Sequence, residues 1–178
     1  NRQHASATMP LLTRLMHQQL TSSIDAFLCP SRFAATILER HGFSDVRHFP
    51  YFVEPAEPLP PPRAGAAPRL LFLGRLAPEK GVSHLLDAMK LILASEPSAR
   101  LDVVGDGVLE EELRKKTKLL GLTSGVEFHG KVDHGAVRAH YARASAFVLP
   151  TIWSENSPLS IHECLSLGLP VIASRIGG

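Results

Sequence analysis

Short apolar runs alternate with helical patterns along residues 69–178. The apolar runs predict buried strands at 69–73, 101–104, 126–128, 146–149 and 171–173. Between them, apolar residues at helical spacing predict helices over 81–95, 108–120, 133–144 and from 158 onward. This alternation, with short glycine-rich connections, predicts a parallel sheet with helices on both faces. Ligands bind outside the carboxyl ends of the strands in such sheets, so the loops after the strands form the expected binding edge.

Residues 1–68 carry a weaker version of this pattern, followed by an irregular segment. The predicted elements are a helix at about 9–22, strands at 26–29 and near 47–49, and a helix at about 32–40 that Ser31 opens. Residues 54–68 are rich in Pro and Ala and lack apolar periodicity. This composition is typical of a semi-rigid linker.

Composition narrows the class of protein. The 178 residues are 44% hydrophobic and 20% charged, with a formal net charge of +2, as expected for a soluble globular protein. The balanced charge and the lack of a basic stripe argue against a nucleic-acid partner. No apolar run reaches the ~20 residues that span a bilayer, and no signal peptide is visible. Because the chain starts at Asn1 and stops at Gly178, just after a predicted strand, we expect it to be a piece of a longer protein.

Cysteine and histidine usage predicts neither a disulfide nor a metal site. Cys29 and Cys164 lie far apart in sequence, which favours buried free thiols and a reducing compartment. His129, His134 and His140 have no Cys or His partner at a known metal-ligand spacing, and we interpret most of the nine histidines as surface or loop residues.

Residues 153–178 hold the most informative chemistry. Seven residues separate Glu155 from Glu163, and a helix is predicted to start between them with Ser157 as its N-cap and Pro158 at its first position. The free N–H groups at this start suit a phosphate and belong to Leu159, Ser160 and Ile161. An anion site flanked by two carboxylates fits a ligand with central phosphates and hydroxyl-rich ends, such as a nucleotide sugar.

The loop at residues 74–81 follows the first strand of this region and carries Arg75 and Lys80. Two fixed cations beside a helix start can stabilise a departing nucleotide diphosphate without a metal ion. Gly105-Asp106-Gly107 follows the next strand, where the glycines allow positive φ and close backbone approach.

These segments resemble retaining glycosyltransferases of family 4, which have the GT-B fold. Residues 155–163 are similar to their glutamate-x7-glutamate motif, residues 74–81 to their GR-x4-KG element, and residues 105–107 to their G-D/E-G turn. Residues 127–130 resemble their loop near the nucleotide base, and residues 25–33 the end of their N-terminal domain. The resemblance implies that residues 1–53 are the tail of a Rossmann-like acceptor domain, 54–68 an interdomain linker and 69–178 a Rossmann-like donor-binding domain truncated at its C-terminus.

The same resemblance assigns roles to individual residues. It implies that Arg75 and Lys80 hold the diphosphate, that Glu155 faces the donor sugar and that Glu163 faces the ribose. Arg75, Lys80 and Glu155 are the expected catalytic residues. Contacts to the nucleotide base would be made largely by the backbone. The alternative for His129 is therefore that its side chain does not contact the donor. The expected donor-binding set is Gly74, Arg75, Lys80, Gly105, Asp106, Gly107, Phe128, His129, Gly130, Glu155, Asn156, Ser157, Pro158, Leu159, Ser160 and Glu163.

The resemblance also implies the reaction and its partners. We expect transfer of a sugar, with retention of configuration and without metal or cofactor, from a UDP-, GDP- or ADP-linked donor to a glycan, lipid or other hydroxyl acceptor. This activity belongs to bacterial-type polysaccharide or glycolipid synthesis. A cytoplasmic location is expected, with membrane association open through an N-terminal part that lies before Asn1. These 178 residues alone are expected to be inactive, because that part would hold the acceptor.

Three alternatives stay open at this point, and two others are disfavoured. Among enzymes, the alternatives are a GT-B nucleotide-sugar epimerase and a sugar phosphorylase. The alternative of another class is a domain that binds nucleotide without chemistry. A glycosidase also needs two carboxylates but explains neither the Arg75 and Lys80 loop nor the anion site. An NAD-dependent dehydrogenase is disfavoured because no G-x-G-x-x-G follows the first strand of the second domain.

Overall fold

The computed structural model describes residue 19 and residues 21–60 and 65–178. The chain divides into two compact units, of which the second runs from Phe52 to Gly177. In the first unit, strands β1 (Phe27–Cys29) and β2 (Val46–His48) pair in parallel, and helix α1 (Arg32–Arg40) lies between them in the sequence. The Ser31 hydroxyl accepts from the Ala34 N–H at 3.1 Å, so the predicted helix cap is confirmed. The predicted helix at 9–22 lies mostly outside the described residues.

The second unit alternates strands and helices as the apolar pattern predicts. Its elements in chain order are β3 (Arg69–Leu73), a 3-10 turn (Pro78–Lys80), α2 (Val82–Ser95), β4 (Arg100–Val104), α3 (Glu110–Leu119), β5 (Val126–Gly130), α4 (His134–Arg143), β6 (Ala146–Leu149), α5 (Leu159–Ser166) and β7 (Val171–Ala173). None of the helices in the described residues has the length and apolar character needed to cross a membrane.

The five strands of the second unit form one parallel sheet in the order β5-β4-β3-β6-β7. The chain builds outward from β3 through β4 to β5, then returns to the other side of β3 to place β6 and β7. Strand order therefore reverses between β3 and β6. In open α/β sheets the crevice outside the carboxyl ends at such a reversal is the usual ligand site.

Two hydrophobic clusters cover the two faces of this sheet. Successive side chains of a strand point to opposite faces, and so Phe72 packs under α2 and α3 while Leu71 packs under α4 and α5. Both side chains are fully buried. The result is the predicted α/β architecture of a parallel sheet between two helical layers.

Several predicted boundaries are wrong by one or a few residues. Helix α3 starts at Glu110 instead of residue 108, and Val108 is 86% exposed in the preceding turn. Strand β5 continues to Gly130 instead of ending at Phe128. Its register against β4 shifts between Val103, which faces Phe128, and Val104, which faces Gly130. His129 is thus the extra residue of a β-bulge.

Part of the proline-rich segment packs on the second unit. The N–H of Leu59 donates to the carbonyl of Leu167 at 2.9 Å, and Ala56 and Leu59 contact the cluster under α4 and α5. Residues 52–60 form no helix or strand.

Candidate functional site

Two glycine-rich turns meet at the carboxyl edge of β3 and β4. The Gly74 N–H donates to the Val104 carbonyl at 3.0 Å, and the Leu76 N–H donates to the Asp106 carbonyl at 2.7 Å. A Cβ at Gly105 would lie 2.0 Å from the Gly74 oxygen, with φ at +127°. Only glycine allows this backbone contact at position 105.

The loop after β3 is also fastened to the segment after β6. Gly81 ends the 3-10 turn with φ at +69°, and a Cβ there would lie 1.9 Å from the Pro150 carbonyl oxygen. The Glu79 carbonyl accepts from the Ile152 N–H at 3.0 Å and from the Thr151 hydroxyl at 2.8 Å. These contacts hold the two loops together across the point where the strand order reverses.

Lys80 and Glu155 form the central ion pair of this edge. The Lys80 Nζ lies 2.6 Å from Glu155 Oε1, and the two side chains are only 20% and 17% exposed. The pair joins residues 75 positions apart in sequence. A cation and a carboxylate from the two sides of the crevice therefore already lie in contact in the folded chain.

Arg75 has a different environment from Lys80. Its guanidinium lies 2.9 Å from Glu79 Oε1 within the same loop, and its side chain is 74% exposed. The guanidinium is thus held at the rim of the crevice by a solvent-exposed pair, which leaves it accessible to a ligand.

The start of α5 differs from the prediction by one residue. The helix begins at Leu159, Pro158 takes the N-cap position, and no side chain caps the helix. The predicted cap by Ser157 is wrong, because its hydroxyl lies 2.9 Å from Nε2 of His162. The predicted free N–H of Ile161 is wrong as well, since it donates to the Pro158 carbonyl at 3.0 Å.

Two N–H groups remain available at this helix start. Within the described residues no protein group accepts from the N–H of Leu159 or Ser160. Asn156 lies exposed in the loop ahead of the helix. The helix start therefore offers two donors and partial positive charge near the segment that carries Glu155.

Glu163 lies one turn further along α5 and contacts a buried tyrosine. The Tyr141 hydroxyl donates to Glu163 Oε2 at 2.7 Å, and Tyr141 is only 3% exposed. Burial and this hydrogen bond raise the pKa of Tyr141 far above its ordinary value. Burial, then the Glu163 charge, raises the pKa of the Cys164 thiol to about 12, so this cysteine is a buried free thiol as predicted.

Two cavities of the second unit adjoin each other at Val137. One, of about 310 Å³, lies over the carboxyl ends of β3 and β4 and is lined by Leu73, Gly74, Arg75, Val104, Gly105, Asp106, Lys131, Val132 and Val137. The other, of about 400 Å³, contains Tyr141 and Glu163 and shares Val137 with the first. Lys131 and Val132 were not among the predicted binding residues, although their position directly after the glycine that ends a strand is a signal for this edge.

Phe128 and His129 direct their side chains away from these cavities. Phe128 packs with the cluster under α2 and α3, and the Arg114 guanidinium lies 4.8 Å from its ring centre. The His129 side chain is only 16% exposed, and its Nε2 lies 3.2 Å from Asp102 Oδ1. His129 is therefore not one of the histidines that lie at the surface.

Asp102 is the centre of a buried charge cluster in the middle of the sheet. It is 1% exposed and accepts from Arg69 at 2.7 Å and Arg143 at 3.1 Å. Burial alone would raise its pKa, but the neighbouring His129 ring and the two guanidinium groups outweigh burial and lower it. The ring of His140 lies 4.7 Å from that of His129, so His140 belongs to the same cluster.

This cluster has some geometry of a metal site. Potential ligand atoms of Asp102, His129 and His140 lie within 4.8 Å of one another. Both carboxylate oxygens, however, already accept from guanidinium groups, so an added cation would meet a net positive charge. We therefore assign the cluster a role in joining strands β3, β4 and β5 to α4.

Comparison with known proteins shows the family of the chain. The model for "Glycosyl transferases group 1" matches residues 60–178. The chain is 33% identical over 117 residues to a glycogen synthase of Mycobacterium tuberculosis, covering 66% of this chain and 28% of that protein. It is 35% identical over 120 residues to a phosphatidyl-myo-inositol mannosyltransferase of Mycobacterium leprae, covering 65% of this chain and 31% of that protein. The chain thus spans about a third or less of these relatives.

The solved structures show the fold of the chain. The structure of Anabaena HepE in complex with UDP and glucose superimposes with a TM-score of 0.79 at 19% sequence identity. The match covers 93% of this chain and 48% of the HepE chain. Such neighbours are GT-B glycosyltransferases, which confirms the predicted fold class.

Proposed function

The chain belongs to the group 1 glycosyl transferases, and from this premise we propose that it binds the donor of a retaining, metal-independent sugar transfer of the family 4 type. The donor is a nucleoside-diphosphate sugar. The observation that carries the proposal is the contact between Lys80 and Glu155, at 2.6 Å, beside two free N–H groups of a helix start. A cation, a carboxylate and backbone donors in one crevice match a ligand that joins a diphosphate to a sugar.

The donor is proposed to lie across the carboxyl edge of the sheet. Its diphosphate would contact Arg75, Lys80 and the N–H groups of Leu159 and Ser160, where positive charge from both sides of the crevice converges. Its sugar would lie toward Glu155. The base would occupy the cavity that Gly105, Lys131 and Val132 line, and the ribose would lie toward Glu163 in the adjoining cavity.

The proposed chemistry is charge stabilisation of the leaving group. As the bond between the anomeric carbon and the diphosphate oxygen breaks, negative charge builds on the diphosphate. Lys80 and Arg75 offset that charge through contacts that strengthen as it develops, which is the condition for lowering the barrier. Glu155 accepts hydrogen bonds from sugar hydroxyls and holds the Lys80 ammonium in place. These groups supply the positive charge that a divalent ion supplies in other transferases.

The acceptor is proposed to be the hydroxyl of a glycan or lipid. This proposal rests on the names of the relatives, which include a glycogen synthase and a phosphatidyl-myo-inositol mannosyltransferase. No described residue of the second unit selects between these classes.

The binding step is tested by calorimetry on this chain with UDP, GDP and ADP. We expect one of them to bind measurably, and Lys80→Met to weaken that binding, while Lys90→Met, which removes an exposed lysine of α2, leaves it unchanged. Failure of all three nucleotides to bind would overturn the proposal.

The transfer step is tested with the whole polypeptide that carries these residues. It is incubated with labelled UDP-, GDP- and ADP-sugars, candidate acceptors and EDTA, and the anomeric configuration of any product is read by NMR. We expect a product with the configuration of the donor and no loss of rate with EDTA. An isomerised sugar would identify an epimerase, phosphate-dependent cleavage a phosphorylase, and binding without turnover a nucleotide-binding domain.

A further inference from the structure

Glu163 is tethered by one oxygen and free at the other. The Tyr141 hydroxyl donates to Oε2 at 2.7 Å, whereas within the described residues no protein group donates to Oε1. Both residues line the cavity of about 400 Å³ beside the one over β3 and β4. A carboxylate held at one oxygen presents the other in a fixed direction.

The tether itself is rigid. Tyr141 lies on α4 and is 3% exposed among the side chains that cover one sheet face, including Leu71 and Phe147. The phenol is therefore fixed by packing before any ligand arrives. Its hydroxyl stays protonated across the working pH range, because burial and the Glu163 carboxylate raise the pKa of Tyr141.

We propose that Tyr141 is a positioning residue that holds Glu163 so that its free oxygen receives the ribose hydroxyls of the donor nucleotide. This rests on the proposed function, since it assumes that the cavity next to Val137 takes the ribose. The consequence is selectivity for ribonucleotides over deoxynucleotides. A glutamate side chain without the tether would have to be ordered by the ligand, and affinity for the diol would fall.

The central experiment compares ligands with and without the diol. Binding of UDP, GDP and ADP and of their 2′,3′-dideoxy counterparts is measured by calorimetry for the wild type and for Tyr141→Phe. Removal of the hydroxyl should weaken ribonucleotide binding roughly threefold to tenfold, the size of one net hydrogen bond. Affinity for the dideoxy forms should not change, because they have no ribose hydroxyls that could donate to Glu163. A merely structural role would weaken both ligand types equally.

Two further variants keep the result interpretable. In a Glu163→Ala background, Tyr141→Phe should have no additional effect on ribonucleotide binding, since nothing remains to be positioned. Tyr51→Phe is the matched control, because Tyr51 is the other tyrosine of the chain, is 48% exposed and lies in the first unit. It should leave all affinities unchanged. Thermal unfolding of each variant checks that Tyr141→Phe keeps the fold.

The possible outcomes separate this proposal from the proposed function. Suppose the wild type prefers ribonucleotides. If Tyr141→Phe then weakens the binding of both ligand types equally, or changes neither affinity, the positioning role is wrong and nucleotide binding stands. If the wild type binds the ribonucleotides and the dideoxynucleotides equally well, the proposed role of Glu163 is wrong, and so is the proposed role of Tyr141. If no nucleotide binds, both proposals are wrong.

Discussion

Replacing Lys80 by Met tests the centre of the proposed site. Methionine keeps most of the aliphatic stem and removes the ammonium that lies 2.6 Å from Glu155 Oε1. The change therefore has two consequences of different origin. Glu155 loses its partner in a setting where its side chain is 17% exposed, and the diphosphate loses a cation.

The stability cost follows from the burial of the pair. Breaking a fully buried ion pair costs about 3–5 kcal/mol, and exposed pairs contribute about 0–1 kcal/mol. With about a fifth of each side chain exposed, we expect Lys80→Met to lower the free energy of unfolding by about 2 kcal/mol. Urea denaturation measures this loss.

The affinity cost follows from the lost contact with phosphate. A hydrogen bond to a charged group contributes about 1.5–3 kcal/mol. Converted at about 1.4 kcal/mol per factor of ten, this predicts a Kd for nucleoside diphosphate that rises about 10- to 150-fold. Calorimetry at fixed salt measures it, with Lys90→Met as the control for net charge.

The double variant Lys80→Met/Glu155→Gln separates the two consequences. It removes the unpaired carboxylate, so stability should recover toward that of the wild type. Affinity for nucleoside diphosphate should not recover, because the cation is still missing. Recovery of affinity together with stability would refute direct contact between Lys80 and phosphate, and so would an unchanged Kd in Lys80→Met.

Three other predictions concern the glutamates, the loop contact and pH. Glu163→Gln should weaken binding of a free nucleoside diphosphate, whereas Glu155→Gln should weaken binding of the complete sugar donor only; calorimetry with both ligands shows whether the two losses differ. Gly81→Ala should lower the thermal unfolding temperature more than Gly121→Ala, because both have φ near +70° but only the Gly81 Cβ would meet a backbone atom, the Pro150 oxygen at 1.9 Å; equal losses would show that the contact does not matter. Burial, then the neighbouring His129 and Arg143, lowers the pKa of His140 in the folded chain, so the unfolded chain takes up this proton at a higher pH and stability should fall as pH drops below about 6.5. His140→Gln should therefore reduce the dependence of the free energy of unfolding on pH between about pH 6.5 and 5, as measured by urea denaturation, and an unaltered dependence would contradict this origin.

The secondary structure of the second unit could be predicted because its causes are local. The run RLLFL is apolar enough to be a buried strand wherever it lies in the sheet, and Gly121 and Gly168 end their helices by their own backbone freedom. These errors arose where a contact outside the predicted pattern competed. The Ser157 hydroxyl contacts His162 instead of capping the helix, and the neighbouring strand admits a bulge at His129.

The candidate site was predictable in its parts and not in its contacts. The chemistry of Arg75, Lys80, Glu155 and Glu163 follows from residue type and from the loops or helix starts that hold them. Their ligand roles stay predictions. The tether from Tyr141 and the buried cluster at Asp102 had no signal in the sequence, because each joins residues from separate elements whose spacing follows no motif.

The sequence by itself determined that strands and helices alternate, that the sheet is parallel and that the glycine-rich loops share one edge of it. These properties depend on interactions within a strand, a turn or one crossover. Only the tertiary structure decided that β3 and β6 are neighbours, and this adjacency places the loop of Lys80 against the segment of Glu155. Strand order is set by which apolar faces pack together over the whole sheet, and no local pattern along the chain records it.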